Sequence, residues 1–167
     1  MARWLSIAVV VLVLAGLLVT LAPGREALLD RVFPVGIPEK VDFATLRLSD
    51  RPNQYLVCPP GLCAATAHRQ GPVAPMPVEK LEARWQALIA RTPGTAALAS
   101  DKNLRQYDVV ARTPRLRFPD LVTARFIALD AERSTLAIYS RSIYGRSDFG
   151  ANRARVDAWL AELASGG

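Results

Sequence analysis

Between Leu104 and Arg141 the chain reads LRQYDVVAR-TPRLRFPD-LVTARFIAL-DAER-STLAIYSR. The runs Leu104–Arg112, Leu121–Leu129 and Ser134–Arg141 are rich in Val, Ile, Thr, Tyr and Phe, side chains that suit a pleated, half-buried surface. Thr113-Pro114 and Asp130-Ala131-Glu132-Arg133 interrupt them as turn residues do. The connections are too short to hold crossover helices, so neighbouring strands of this group pair antiparallel, as a meander. A fourth strand is expected from Val41–Leu48 or from Gly94–Ser100.

Helical patterns flank the meander. Pro77–Arg91 carries Leu81, Trp85, Leu88 and Ile89 on one face, with Glu79 and Glu82 early, Arg91 late and Thr92-Pro93-Gly94 as a stop. Asn152–Ala164 places Val156, Trp159, Leu160 and Leu163 on one face, and Arg153, Arg155, Asp157 and Glu162 elsewhere. Each Trp sits in an apolar stripe and is read as core. The fold class expected is α+β: an N-terminal transmembrane helix, then a two-layer domain with an antiparallel sheet and two amphipathic helices on one face.

The transmembrane expectation rests on Trp4–Ala22, WLSIAVVVLVLAGLLVTLA, which has no charge and only Ser6 and Thr20 as polar interruptions. As a helix this run reaches about 28 Å, close to the hydrocarbon thickness of a bilayer. A cleaved signal peptide is the alternative, since Arg3 precedes the run. The run is long for a signal peptide, and Pro23 next to the cut would fit poorly in a protease site, so retention is favoured. Residues 1–22 are thus read as a signal anchor, 23–40 as a tether and 41–167 as one domain. Within the tether, Leu28, Leu29, Val32 and Phe33 share one helical face, for the membrane surface or for docking on the domain.

The positive-inside rule is nearly silent, because Arg25 and Arg31 follow the run as Arg3 and the terminal amine precede it. The short leading tail and a cysteine pair favour a bacterial inner-membrane protein, single-pass, with its C-terminal domain in the periplasm. Cys58 and Cys63 stand in C-P-P-G-L-C, where an even pair outside the cytoplasm favours a disulfide over free thiols. His68 extends the pattern to C-x₄-C-x₄-H, but the chain has no further Cys or His to complete a zinc site. No metal and no cofactor are assigned.

The formal charge of +6 comes from 21 Lys and Arg against 15 acids, spread through mixed-sign sequence. That pattern suits an anionic partner such as lipid headgroups, or reflects an Arg-rich composition alone, and no nucleic-acid partner is assigned. From Leu104 to Arg155 ten Arg face five acids, a balance of 10 − 5 = +5, so the basic excess is local. In the same region Ser140, Arg141, Ser142, Arg146, Ser147, Asp148, Asn152 and Arg153 lead from the last strand into the last helix. Hydroxyls, amides and guanidinium groups at a helix N-terminus can hold an anion. The competing reading is structural, with Ser147 or Asp148 capping the helix, Gly145 and Gly150 turning the chain and Arg141 or Arg153 pairing with Asp148.

Enzyme signatures are sparse. Gly145 and Gly150 form neither a P-loop nor a dinucleotide fingerprint, and nothing nearby in sequence orients His68 as a base. Asp108 and Asp120 act as an acid–base pair only if the fold brings them together. A binding or interaction module for an anionic lipid, glycan or envelope protein is therefore preferred. The alternative is a hydrolase or transferase using residues 140–153.

Two segments, YDVVARTPRLRFPDLVTARF (Tyr107–Phe126) and LAIYSRSIYGRSDFGANRARVDAWL (Leu136–Leu160), carry an R-F-x-D segment and an S-R-S-x-x-G-x-S-D-x-G-x-N-R run. With RPNQYLVCP at Arg51–Pro59, the chain resembles the uncharacterised family known as domain of unknown function 1499 over roughly residues 45–163. The resemblance implies an often anchored envelope or plastid protein and assigns no catalytic residue.

Overall fold

The computed structural model describes residues 24–36 and 38–165, together with Val10 and Gly16. All but these two residues of the expected anchor therefore lie outside the described residues, and among those that are described no helix is long and apolar enough to cross a membrane. The elements are α1 (Arg25–Val32), β1 (Gln54–Cys58), β2 (Arg69–Gln70), β3 (Val73–Ala74), α2 (Val78–Arg91), β4 (Thr95–Asp101), β5 (Gln106–Arg112), β6 (Pro119–Ala128), β7 (Ser134–Ser142) and α3 (Ala151–Ser165).

The strands form one sheet in the order β2-β1-β7-β6-β5-β4, with β3 also paired to β7. From β4 to β7 every neighbouring pair is antiparallel, so the meander is as the turn signals require. The sheet as a whole is mixed, which corrects the expectation of an antiparallel one: β2 runs parallel to β1. The chain leaves Cys58, doubles back through residues 59–68 and re-enters alongside the strand it left. Only two residues of β2 pair there, Arg69 with Val57 and Gln70 with Cys58, which a return shorter than a full crossover can supply. Of the two candidate fourth strands, 95–101 is the one that forms. The stretch 41–48 instead lays Val41, Phe43, Leu46 and Leu48 over the back of the sheet.

Both long helices cover one face, as their stripes require. Leu81, Trp85 and Leu88 of α2 and Val156, Trp159 and Leu163 of α3 pack on Val57, Val109, Val122, Phe126 and Ile138. The Trp85 and Trp159 rings meet edge to face at 5.3 Å, a favoured aromatic geometry.

Cys58 and Cys63 are joined by a disulfide, which is how the cysteine spacing reads. His68 is engaged separately: its Nδ1 accepts the Leu56 N–H at 3.0 Å and its own N–H donates to the Leu56 carbonyl at 2.9 Å. Because the loop is short, replacing both cysteines by serine is expected to cost about 2 kcal/mol of loop-closure stabilisation and to leave the domain folded. Urea titration of the variant against the unreduced protein measures this, and an identical midpoint would show that packing alone holds the loop.

Candidate functional site

Strand alternation and register build a polar cluster at one end of the helix-covered face. Asp120 of β6 lies opposite Ser142 of β7, and Val122 opposite Ser140, so Asp120, Ser140 and Ser142 all point beneath the helices. There the β7–α3 loop ends and α3 begins. Asp148 takes two free amides at that helix start, the N–H of Asn152 at 2.8 Å and that of Gly150 at 3.1 Å. Asn152 is thereby placed over the two serines with no exposure to solvent.

Its amide group uses both ends. Asn152 Oδ1 accepts from Ser140 Oγ at 2.5 Å and from Arg155 Nη1 at 2.9 Å. Asn152 Nδ2 donates to the Asn53 carbonyl at 3.2 Å and to Ser142 Oγ at 3.0 Å. Arg155 Nη2 reaches Asp120 Oδ2 at 2.5 Å, and Asn53 Nδ2 donates to the Gly145 carbonyl at 2.8 Å. The start of β1, both central strands, the loop and α3 are thus tied into one buried network. Ser140 meets an amide oxygen there, and the chain's one histidine is bound to β1. No acid–base pair is assembled by Asp108 and Asp120 either, since Asp108 accepts from Thr123 Oγ1 at 2.6 Å on the opposite face.

The eight residues grouped from sequence end up in three places. Ser140, Ser142, Asp148 and Asn152 belong to the network. Arg141, one position along the strand from Ser140, points through the other side of the sheet, its guanidinium 4.9 Å from the Tyr139 ring centre and 3.4 Å from Thr123 Oγ1. Burial pushes the Arg141 pKa down from its ordinary value. Arg146 and Ser147 are exposed in the loop, and Arg153 faces outward beside Asp157 at 3.6 Å. Asn53 and the Asp120–Arg155 pair went unread in the sequence. The one sequence signal for Asn53 is its place, with Gln54, directly before the apolar run Tyr55–Val57.

Next to the network, between the β5–β6 turn and the β7–α3 loop, opens a cleft of about 500 Å³. Pro114, Leu116, Phe118, Tyr144 and Phe149 line it, together with Arg115, Asp120 and Ser142. Apolar walls with a few placed polar groups are the usual make-up of a ligand site.

The segment expected as a tether is docked beside this cleft. Asp30 of α1 receives Arg117 Nε at 3.0 Å and Nη2 at 2.9 Å, and Arg112 Nε lies 3.2 Å away. The Arg117 hydrogen bonds hold the Asp30 carboxyl below the usual carboxylate range. Phe33 packs on Phe118 with ring centres 4.6 Å apart and on Tyr144 at 5.6 Å, and the Tyr144 hydroxyl donates to the Pro34 carbonyl at 2.9 Å. Arg117 adopts a left-handed backbone, φ 57°, as it turns toward α1.

A family model described as a protein of unknown function, DUF1499, matches residues 49–163. That span runs from just before β1 into the last turn of α3. No curated protein matches the chain.

Proposed function

The chain belongs to the DUF1499 family of proteins of unknown function, and from that premise we propose that its domain is a non-catalytic binding module for an anionic lipid. In this reading Trp4–Ala22 is a single-pass anchor in a bacterial inner membrane and the domain lies on the periplasmic side. The cleft between the β5–β6 turn and the β7–α3 loop receives acyl chain, and Arg115 at its rim faces the headgroup.

One observation carries the proposal: the lining is mostly apolar, while Asp120 and Ser142 are already partnered within the network. A site of this kind favours an apolar body, because unpaired polar ligand groups would lose water there without gaining partners. The network offers Ser140 an amide oxygen where a hydrolase would need a base.

The test is photo-crosslinking of the full chain, in membranes, with phosphatidylglycerol carrying a diazirine at the end of its acyl chain. Adducts are expected on peptides covering 113–118 and 142–151. Ala151→Phe, which fills the cleft from the first turn of α3, should reduce them at least tenfold with little change in melting temperature. Adducts that persist at full yield in this variant would remove the cleft as the binding site.

A further inference from the structure

We propose that the end of the domain carrying α1, the β5–β6 turn and Phe149 is seated against the bilayer surface, with Phe149 and Leu116 dipping into the boundary between headgroups and acyl chains. The inference rests on the anchored reading above and adds to it a fixed orientation of the domain.

Phe149 is 99% exposed, and none of the described residues covers its ring. It also adopts a left-handed backbone, φ 51°, followed by Gly150 at φ 81°. A bulky residue seldom takes that conformation. Here it is held by hydrogen bonds on both sides, from the Phe149 N–H to Ser147 Oγ at 3.2 Å and from the Gly150 N–H to Asp148 Oδ1 at 3.1 Å. Backbone strain spent on presenting an apolar ring to solvent marks a surface that something apolar meets. Leu116, across the same cleft, is also exposed, as are Leu28 and Val32 on α1.

Chain length says what that partner is. Only Pro23 and Gly24 separate the end of the apolar run at Ala22 from Arg25, so the start of α1 lies within about 10 Å of the anchor's exit. The first turn of α1 is beside the β5–β6 turn, where Glu26 Oε2 stands 3.6 Å from Arg117 Nη1. Docked in this way, α1 brings Leu116 and the cleft mouth to the membrane.

Charge agrees. Among the described residues Arg25, Arg31, Arg115 and Arg146 make no ion pair, whereas the nearby acids Glu26, Asp30 and Asp148 are taken up by Arg117, Arg112 and the start of α3. Cations flanking exposed apolar side chains suit an anionic lipid surface. The other end of the sheet differs, since the β6–β7 turn carries Asp130 paired to Arg133 and Glu132. It stands roughly 30 Å away along β6.

The experiment places an environment-sensitive nitrobenzoxadiazole label at Phe149→Cys, Leu116→Cys or Ala131→Cys in the full chain. Labelling is done without reductant, where the Cys58–Cys63 disulfide leaves no competing thiol. The labelled protein is reconstituted into vesicles of phosphatidylethanolamine and phosphatidylglycerol containing spin-labelled lipid. Labels at 149 and 116 should be quenched at least twofold, and the label at 131 should stay within a tenth of its unquenched intensity. Equal quenching at all three positions, or none at 149 and 116 in protein that resists carbonate extraction, overturns the seating alone. Extraction by carbonate overturns the anchored reading together with it.

Discussion

Replacing Asp120 by alanine is expected to lower the melting temperature by roughly 10–20 °C. The carboxylate is 3% exposed and faces Arg155 Nη2 at 2.5 Å, with the Arg155 side chain itself 14% exposed. Removing the acid leaves a guanidinium under α3 with only Ser140 Oγ and Asn152 Oδ1 as neutral acceptors. Breaking a buried pair from one side typically costs about 3–5 kcal/mol, because the remaining charge loses its partner and cannot regain its water. The double replacement Asp120→Leu with Arg155→Met removes both charges and keeps the volume, and should recover most of the loss. Circular dichroism melts of the two variants beside the unaltered protein separate the cases. A single-variant shift below about 3 °C would mean that water reaches the pair.

Trp85→Ala is expected to cost a similar amount, about 3–5 kcal/mol, for an unrelated reason. Trp85 is 1% exposed and touches three elements at once: its own helix, Trp159 of α3 at 5.3 Å and Phe126 of β6 at 5.9 Å. Truncation opens a cavity at the junction of both helices with the sheet, and the rigid strands below cannot collapse to fill it. Trp85→Phe, which keeps part of the volume, should fall between the two. Urea denaturation followed by circular dichroism measures the series, since tryptophan emission changes with the substitution itself. A loss under about 1 kcal/mol for the alanine variant would contradict the packing described.

The elements set by local periodicity were legible in the chain. The helical stripes of Leu81, Trp85 and Leu88 and of Val156, Trp159 and Leu163, together with the three meander strands, sit where their patterns place them. Strand β1 was not legible in the same way. All five of its residues are buried, so QYLVC shows no alternation between faces, and a two-residue parallel neighbour has almost no pattern of its own. The polar network depends on the β6–β7 register and on the pitch of α3, relations that no single window of sequence contains. The split between Arg141 and the serines around it was available from the two-residue strand period, once Ser140–Ser142 is seen to continue β7. Grouping those residues by their shared polarity hid it.

The position of β1 also sets an order in time. Its antiparallel partner is β7, with Gln54 opposite Arg141 and Val57 opposite Ile138, while the pairs β4–β5, β5–β6 and β6–β7 each join strands adjacent in the chain. Contacts close in sequence form early, and distant ones must first close a long loop. The meander can therefore assemble on its own, whereas β1 enters the sheet late although it is synthesised first. Until β7 has formed, Gln54–Cys58 has only the two residues of β2 to pair with, and an apolar strand in that condition is open to association with other chains.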